Sequence, residues 1–263
     1  MGWFSWCYKF RSQAARALGM DLQHQQVRYA QTLAQYVTPG SAWLDLGCGH
    51  QFYPRWARIG SIAPEELASR PRLLCGLDGD FRSIRQHPLI TNRVLGDVNQ
   101  LPFRDSTFTV ISANMVMEHV ADPAAALREL ERTLAPGGVF IFHTTNRRFY
   151  QVAIASLLPQ KLKNAIIYAL TRRRSEDVYP TEYKINTPNA VRRLAAASGM
   201  KLRDLRMISS AGELALLGPV VVLELLVTRL LETPLLRNFR SNMIVILQKE
   251  GAAQPNPSCP CIP

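Results

Sequence analysis

The sequence predicts an α/β fold with a doubly wound, mostly parallel sheet, because short apolar segments alternate with helical ones along the chain. Acidic residues stand at or near the ends of three of these segments. Parallel strands bring their carboxyl ends to one edge of the sheet, where ligands of such folds bind. Five strands are predicted first, at residues 42–46, 73–77, 93–95, 108–113 and 139–143.

Two helices around these strands are predicted from apolar spacing and from end signals. Residues 24–37 carry apolar side chains at helical spacing, and Pro39 with Gly40 predicts the stop. Asp122 followed by Pro123 predicts a helix start, and the Pro-Gly-Gly sequence at 136–138 predicts the end of that helix.

The chain changes character after residue 146, where apolar segments carry scattered basic residues. Residues 149–170 predict a helix broken near Pro159, and residues 187–197 predict a second helix.

Two more strands are predicted near the end of the chain, at residues 201–208 and 243–247. Between them, residues 213–232 predict a very apolar helix that bends at Gly218 and Pro219. The predicted sheet therefore has seven strands in a Rossmann-like arrangement, with a helical insertion after the fifth.

This pattern divides the chain into three parts. Residues 1–23 form an aromatic and basic N-terminal segment, residues 24–250 form one domain, and the Pro-rich tail at 251–263 is expected to be disordered. Within the domain, we expect residues 24–146, which contain the acidic strand ends, to form a ligand-binding half, and residues 147–250, with the helical insertion, to form a second half.

The net charge of +11 is unevenly distributed. Residues 151–210 contain eleven basic and four acidic side chains. We therefore expect an anionic partner to contact this stretch, the alternative being a solvated basic surface that only aids solubility.

Composition also bears on compartment and on metals. The five cysteines form no disulfide framework, and Cys259 and Cys261 lack nearby partners for a metal site, so none is predicted. We expect a cytoplasmic protein without a secretory signal. The longest apolar stretch, residues 214–223, contains Pro219 and is too short to span a bilayer.

The loop after the first strand favours S-adenosylmethionine over a dinucleotide. A pyrophosphate requires a GxGxxG loop, but residues 47–52 lack the third glycine and follow the acidic Asp45. A carboxylate there attracts the cationic end of S-adenosylmethionine, and Gly47 and Gly49 let the backbone approach it closely.

Two further acidic residues match the remaining parts of that cofactor. Asp78, after the second strand, can accept hydrogen bonds from both ribose hydroxyls. Asp97, after the third, can accept one from the adenine amino group. Each residue alone is weak evidence, since an Asp after a strand is commonly a helix cap; their order on successive strands is what favours the cofactor.

Residues 43–49, with the sequence WLDLGCG, resemble the first motif of class I S-adenosylmethionine-dependent methyltransferases, particularly the type 11 group. The resemblance covers roughly residues 25–146. Further matching segments follow in order: GLD at 76–78, GDVNQLPF at 96–103, EHVADP at 118–123 and LAPGG at 134–138.

The resemblance implies a cofactor role for eight residues at the strand ends. The methionine part of the cofactor would lie among Asp45, Gly47 and Gly49, with Asn114 nearby. The ribose would contact Asp78 and Gly79, and the adenine would contact Asp97 and Val98.

The acceptor side offers three candidate residues. His119 follows the fourth strand and is the candidate general base, with a structural role as the alternative. Tyr150 and Tyr183 are candidates for the lining of the acceptor pocket, or else packing residues.

The resemblance implies methyl transfer, and composition suggests the acceptor: a small molecule, lipid or glycan of lipophilic or anionic character, reached at a membrane surface. This expectation rests on the aromatic first ten residues, the basic and apolar segment after residue 146, and the apolar stretch at 213–232. The alternative is that these elements cover the sheet or form a dimer interface; the oligomeric state is left open.

Two other function classes stay open. The first is a non-catalytic subunit that binds S-adenosylmethionine and supports a partner. The second is an RNA methyltransferase, which the basic balance permits. Nucleic acid is nevertheless disfavoured, because residues 112–115 (SANM) lack the Asn/Asp-Pro-Pro-aromatic motif of many enzymes that methylate amino groups of nucleic acids.

Overall fold

The computed structural model describes residues 3–20, 23–54, 62–157, 180–209 and 219–251. Its strands are β1 (Ala42–Leu46), β2 (Leu73–Asp78), β3 (Asn92–Leu95), β4 (Phe108–Asn114), β5 (Leu134–Thr145), β6 (Met200–Ile208) and β7 (Asn242–Lys249). They form one sheet in the spatial order β3-β2-β1-β4-β5-β7-β6.

The strand directions confirm the predicted doubly wound, mostly parallel sheet. The first five strands pair in parallel, and β7 is antiparallel to both of its neighbours, β5 and β6. β1 has β2 on one side and β4 on the other, so the order of strands reverses beside β1. This reversal is the topological switch point at which such sheets bind ligands.

Helices cover both faces of the sheet, and several begin at the predicted signals. They are α1 (Trp3–Ala17), α2 (Gln25–Tyr36), α3 (Pro64–Ser69), α4 (Phe81–Arg85), α5 (Pro123–Thr133), α6 (Tyr150–Leu157), α7 (Pro188–Ala197) and α8 (Val221–Leu231). Asp122 caps α5 by accepting hydrogen bonds from the N–H groups of Ala124 and Ala125, and Thr187 caps α7.

The core has two layers, because alternate residues of a strand point to opposite faces of a sheet. On one face, Val139 and Ile141 of β5 pack in a cluster with Leu33 of α2. On the other face, Phe140 and Phe142 of the same strand lie in a cluster with residues of α5 and α7.

The predicted end of the helix that starts after Asp122 is wrong. The helix α5 ends at Thr133, and the Pro-Gly-Gly sequence at 136–138 belongs to β5, which begins at Leu134. Leu134 pairs with Phe108, and the register shifts between Phe108 and Val110. A Cβ on Gly138 would lie 2.8 Å from the carbonyl oxygen of Ala135, so this irregular strand start needs a glycine.

The N-terminal and C-terminal elements meet. Residues of the predicted N-terminal segment form α1, which packs through Ala15 against Leu225 of α8. The predicted helix break at Pro159, the bend at Gly218 and residues 252–263 of the tail lie outside the described residues. In the parts of the chain that the structure describes, no helix combines the length and apolarity needed to cross a bilayer.

Candidate functional site

The carboxyl ends of β1, β2 and β4 meet at the switch point and carry most of the predicted cofactor residues. The loop after β1 is held against β2, since the N–H of Gly47 donates to the carbonyl oxygen of Leu77 at 2.7 Å. Asp45 of β1 lies in register with Gly76 of β2 and Ser112 of β4. The sheet therefore brings these parts of the sequence together.

Both glycines of the first loop adopt backbone angles that disfavour other residues. Gly47 has φ +57° and Gly49 has φ +51°. A Cβ on Gly47 would lie 2.4 Å from Cγ2 of Val116, in the loop after β4. The first position therefore needs glycine for both conformation and space.

Asp78 holds the glycine loop and keeps capacity for a ligand. Its Oδ2 accepts a hydrogen bond from the N–H of Gly49 at 2.8 Å, and its Oδ1 accepts one from the N–H of Asp80 at 2.8 Å. A carboxylate can accept about four hydrogen bonds, so two positions suffice for a ribose diol. The neighbouring Gly79 is open, since an added Cβ would meet only the carbonyl oxygen of Gly96, at 3.9 Å.

The carboxyl group of Asp45 is buried in β1, directly before the glycine loop. It accepts a hydrogen bond from the hydroxyl of Ser112, which in turn accepts one from Nε1 of Trp43 at 2.8 Å. Burial raises the pKa of Asp45 to about 7, and the charge of Asp78 adds to the rise. A cationic group brought near Asp45 would offset this cost, which fits the ammonium and sulfonium of the predicted cofactor.

Asp97 and Val98 lie just beyond β3, beside the end of β2, since the N–H of Gly96 donates to the carbonyl oxygen of Asp78 at 3.0 Å. The cleft is the space at the carboxyl ends of these strands. Oδ1 of the exposed Asp97 accepts hydrogen bonds from the backbone N–H of Asn99 at 2.8 Å and from its amide at 3.0 Å. Val98 is half-buried and packs against the core. Among the described residues, Oδ2 of Asp97 has no recorded hydrogen bond, so it is the oxygen that can accept from an adenine amino group.

Asn114 is fully engaged by the protein itself. Its Oδ1 accepts hydrogen bonds from Nε2 of Gln26 at 3.3 Å and from Nδ1 of His143 at 2.9 Å. Its Nδ2 donates to Oε1 of Gln26 and to the carbonyl oxygen of Phe52, each at 2.8 Å. With two donors and two acceptor positions used, Asn114 shapes the cleft instead of offering a spare hydrogen bond.

His143 supports this arrangement as a neutral ring. Burial first, and the nearby charge of His24 second, lower the pKa of His143 to about 3. The neutral ring donates from Nδ1 to Asn114 Oδ1, which fixes the orientation of the amide. From the sequence, His143 had no role beyond ending the fifth predicted strand, and Gln26 and Ser112 were missed.

The segment that the sequence predicts to face the acceptor is joined to the sheet by Glu118 and His119. Nδ1 of His119 lies 2.7 Å from the carbonyl oxygen of Pro180 and donates to it, which leaves Nε2 as the basic nitrogen. The buried Glu118 accepts a 2.6 Å hydrogen bond from the hydroxyl of Thr144, and Asn186 donates to that hydroxyl at 2.7 Å. Burial raises the pKa of Glu118.

The two predicted tyrosines occupy different surroundings. Tyr183 has φ +50°, and its N–H donates to the carbonyl oxygen of Glu118 at 3.1 Å, so it lies beside the candidate base. Tyr150 begins α6, and its ring packs edge-on against Phe149, with centroids 4.6 Å apart. The structure thus brings Tyr183 to the His119 region, whereas Tyr150 contacts Phe149 and Gln151 beside it in the sequence.

Comparison with known proteins agrees with this site. A family model described as a methyltransferase domain matches residues 18–203. The malonyl-[acyl-carrier protein] O-methyltransferase of Serratia marcescens is 31% identical over 134 residues, which cover 51% of this chain and 44% of that protein. The ubiquinone biosynthesis O-methyltransferase of Pseudomonas entomophila is 30% identical over 126 residues, which cover 44% of this chain and 50% of that protein.

The chain therefore spans about half the length of these curated relatives, or less. Among solved structures, an S-adenosylmethionine-dependent methyltransferase from Mesorhizobium loti matches with a TM-score of 0.50 and 17% identity. That match covers 84% of this chain and 96% of the other, and at this identity it bears on the fold alone.

Replacing Gly47 with alanine should destabilise the protein and abolish cofactor binding. The left-handed backbone and the clash with Val116 together predict a loss of on the order of 2 kcal/mol in the free energy of unfolding. Urea unfolding and calorimetric titration with S-adenosylmethionine measure both effects. Gly40→Ala is the matched control, since nothing lies within 4 Å of its added Cβ. Equal free energies of unfolding for the two variants would contradict the requirement for glycine at position 47.

Asp45→Asn should remove a pH dependence from stability. The folded protein keeps the Asp45 proton up to pH about 7, whereas the unfolded chain releases it near 3.8, so the stability of the wild type falls as pH rises between these values. Relative to the variant, the free energy of unfolding should fall by about 1.4 kcal/mol per pH unit within that window. Urea unfolding of both proteins from pH 5 to 8 checks this, and parallel stability curves would refute it.

Proposed function

The chain belongs to the class I S-adenosylmethionine-dependent methyltransferases, and on that premise we propose that it methylates a small-molecule, lipid or glycan-type acceptor. The observation that carries the proposal is the arrangement of Asp45, the Gly47 loop and Asp78 at one switch point. The buried carboxyl group of Asp45 matches a cationic group of the cofactor, and the available carboxylate of Asp78 matches its ribose diol. The tight glycine turn lets the protein backbone approach the cofactor closely.

Methyl transfer depends more on alignment of the acceptor with the methyl group than on acid–base catalysis. The cofactor, when bound, supplies a methyl group already activated by the positive sulfur. Proximity and orientation can supply about 7–11 kcal/mol of the barrier reduction, so the protein's main task is to hold the acceptor in line. The network of Glu118, Thr144 and Asn186 is suited to that task, because it fixes residues 182–186 against the ends of β4 and β5.

The acceptor class is supported by composition and by the relatives. Residues 151–210 contain eleven basic and four acidic side chains, which favours an acceptor with negative charge. Both curated relatives are named as O-methyltransferases, one acting on malonyl-[acyl-carrier protein] and one in ubiquinone biosynthesis. These names favour an acceptor oxygen in the present chain.

The proposal predicts label transfer to one class of cell component. Purified protein is incubated with S-adenosylmethionine labelled on its methyl group and with cell extract separated into lipid, small-molecule, protein and nucleic-acid fractions. Label should enter the lipid or small-molecule fraction. Asp78→Ala should weaken cofactor binding by roughly tenfold to a hundredfold, because hydrogen bonds to a charged acceptor contribute about 1.5–3 kcal/mol.

Asp105→Ala is the matched control for this experiment, since its exposed carboxylate only pairs with Arg132 at 2.7 Å. It should bind the cofactor and transfer label as the wild type does. Label in the nucleic-acid fraction would replace the proposal with RNA methylation. Cofactor binding without any transfer, together with capture of a stable partner, would replace it with a non-catalytic subunit.

A second part of the proposal gives His119 the role of general base. Its Nδ1 donates to the carbonyl oxygen of Pro180, which orients the ring and leaves Nε2 to accept a proton. His119→Gln should lower turnover by about a hundredfold, because a glutamine side chain cannot accept the proton. Glutamine can still donate to Pro180, so cofactor affinity and thermal stability should be unchanged. Equal turnover at every pH would leave His119 a structural role only.

A further inference from the structure

The helix α8 buries two polar side chains and exposes several large apolar ones. Glu224 and Thr228 point inward and are buried, together with Val221 and Leu225. The outward side consists of leucines at helical spacing: Leu223 is 66% exposed, Leu226 is 47% exposed and Leu230 is 57% exposed. Helices on the surface of a water-soluble domain normally show the opposite arrangement. This outward side therefore requires an apolar environment that the described parts of the chain do not provide.

The apolar surface continues past the end of α8 and carries positive charge. Leu235 is 87% exposed, and the ring of Phe239 is also exposed. Arg229 and Arg237 are exposed among these residues. The only acidic residues from 219 to 241 are Glu224, which is buried, and Glu232, which is exposed, so the exposed side chains of this stretch together with those of α1 keep a positive excess. We call the exposed residues Leu223, Leu226, Arg229, Leu230, Leu235, Arg237 and Phe239 the α8 surface.

The adjoining helix α1 has the same character. It contains Lys9, Arg11 and Arg16 and no acidic residue. Its partly exposed Trp6 stacks on Phe10, with ring centroids 5.4 Å apart. Because α1 packs on α8 through Ala15 and Leu225, the two helices join aromatic, aliphatic and basic side chains in one structural unit.

The α8 surface is anchored at the carboxyl edge of the sheet, where the cofactor site lies. The amide of Asn146, just after β5, donates to the carbonyl oxygens of Asn238 at 2.9 Å and Arg240 at 2.7 Å. The guanidinium of Arg240 donates to the carbonyl oxygens of Met207 in β6 and Leu231 in α8. Both β5 and β6 end at this edge, because each is antiparallel to β7.

We propose that the α8 surface docks the protein on an anionic lipid bilayer, with the cleft edge of the sheet facing the membrane. The boundary between headgroups and acyl chains accepts leucine and phenylalanine side chains, while anionic headgroups attract the arginines. Excess positive charge around an exposed aliphatic helix favours this occupant over a second copy of the chain, which would bring its own arginines against these. Docking places a lipophilic acceptor at the edge where the cofactor binds.

The test is flotation of the full chain with vesicles of phosphatidylcholine mixed with phosphatidylglycerol, and with vesicles of phosphatidylcholine alone. Wild-type protein should float with the mixed vesicles. Combining Leu223→Gln, Leu226→Gln and Leu230→Gln should reduce the vesicle-bound fraction by at least about tenfold. Arg229→Gln and Arg237→Gln should each weaken binding about fivefold and reduce its sensitivity to salt.

The matched control for the arginine variants is Arg104→Gln with Arg128→Gln, two exposed arginines in the loop before β4 and in α5; vesicle binding should be unchanged. Circular dichroism and cofactor titration show whether each variant is folded, and flotation needs neither cofactor nor turnover, so its outcome is separate from that of methyl transfer. Wild-type protein that does not float, or a folded triple variant that floats equally well, overturns the proposal. A mass by light scattering that is doubled in the wild type alone, without flotation, assigns the surface to a dimer instead.

Discussion

The side-chain amide of Asn114 connects the elements on which the candidate site depends. Through four hydrogen bonds it joins Gln26 at the start of α2, Phe52 in the loop after β1 and His143 in β5 to the end of β4. Asn114 is half-buried, and removing an amide from water costs free energy unless its groups are paired, so these four hydrogen bonds favour one arrangement of its neighbours. The glycine loop owes part of its position to that requirement.

The carboxyl groups around Asn114 differ in their surroundings. On the cofactor side, Asp45 and Asp78 provide carboxyl groups of different character, because Asp45 is buried beneath the loop while Asp78 receives two backbone N–H groups. On the predicted acceptor side, the carboxyl group of Glu118 accepts a hydrogen bond from Thr144, and its carbonyl oxygen accepts from the N–H groups of residues 182 and 183. Burying a carboxyl group without a cation costs stability, and such costs are tolerated where a site needs them.

The elements farthest apart in the sequence complete the same edge of the molecule. Residues before 20 and after 219 form α1 and α8, which pack together and are tied to β5 and β6 by Asn146 and Arg240. Their outward side chains are aliphatic, aromatic and basic. The edge at which the cofactor is predicted to bind thus adjoins exposed apolar and basic side chains, which is consistent with an acceptor drawn from an apolar environment.

The sequence alone determined the alternation of strands and helices, the glycine loop and the acidic residues that follow β1, β2 and β3, because these depend on local periodicity and short motifs. It misplaced the end of α5, since strand pairing of Leu134 with Phe108 outweighed the Pro-Gly-Gly turn signal. Only the tertiary structure decided that Asn114 bonds to Gln26, 88 residues away, and which side of α8 faces outward. Such pairings depend on which elements the sheet order brings together, and no local pattern encodes them.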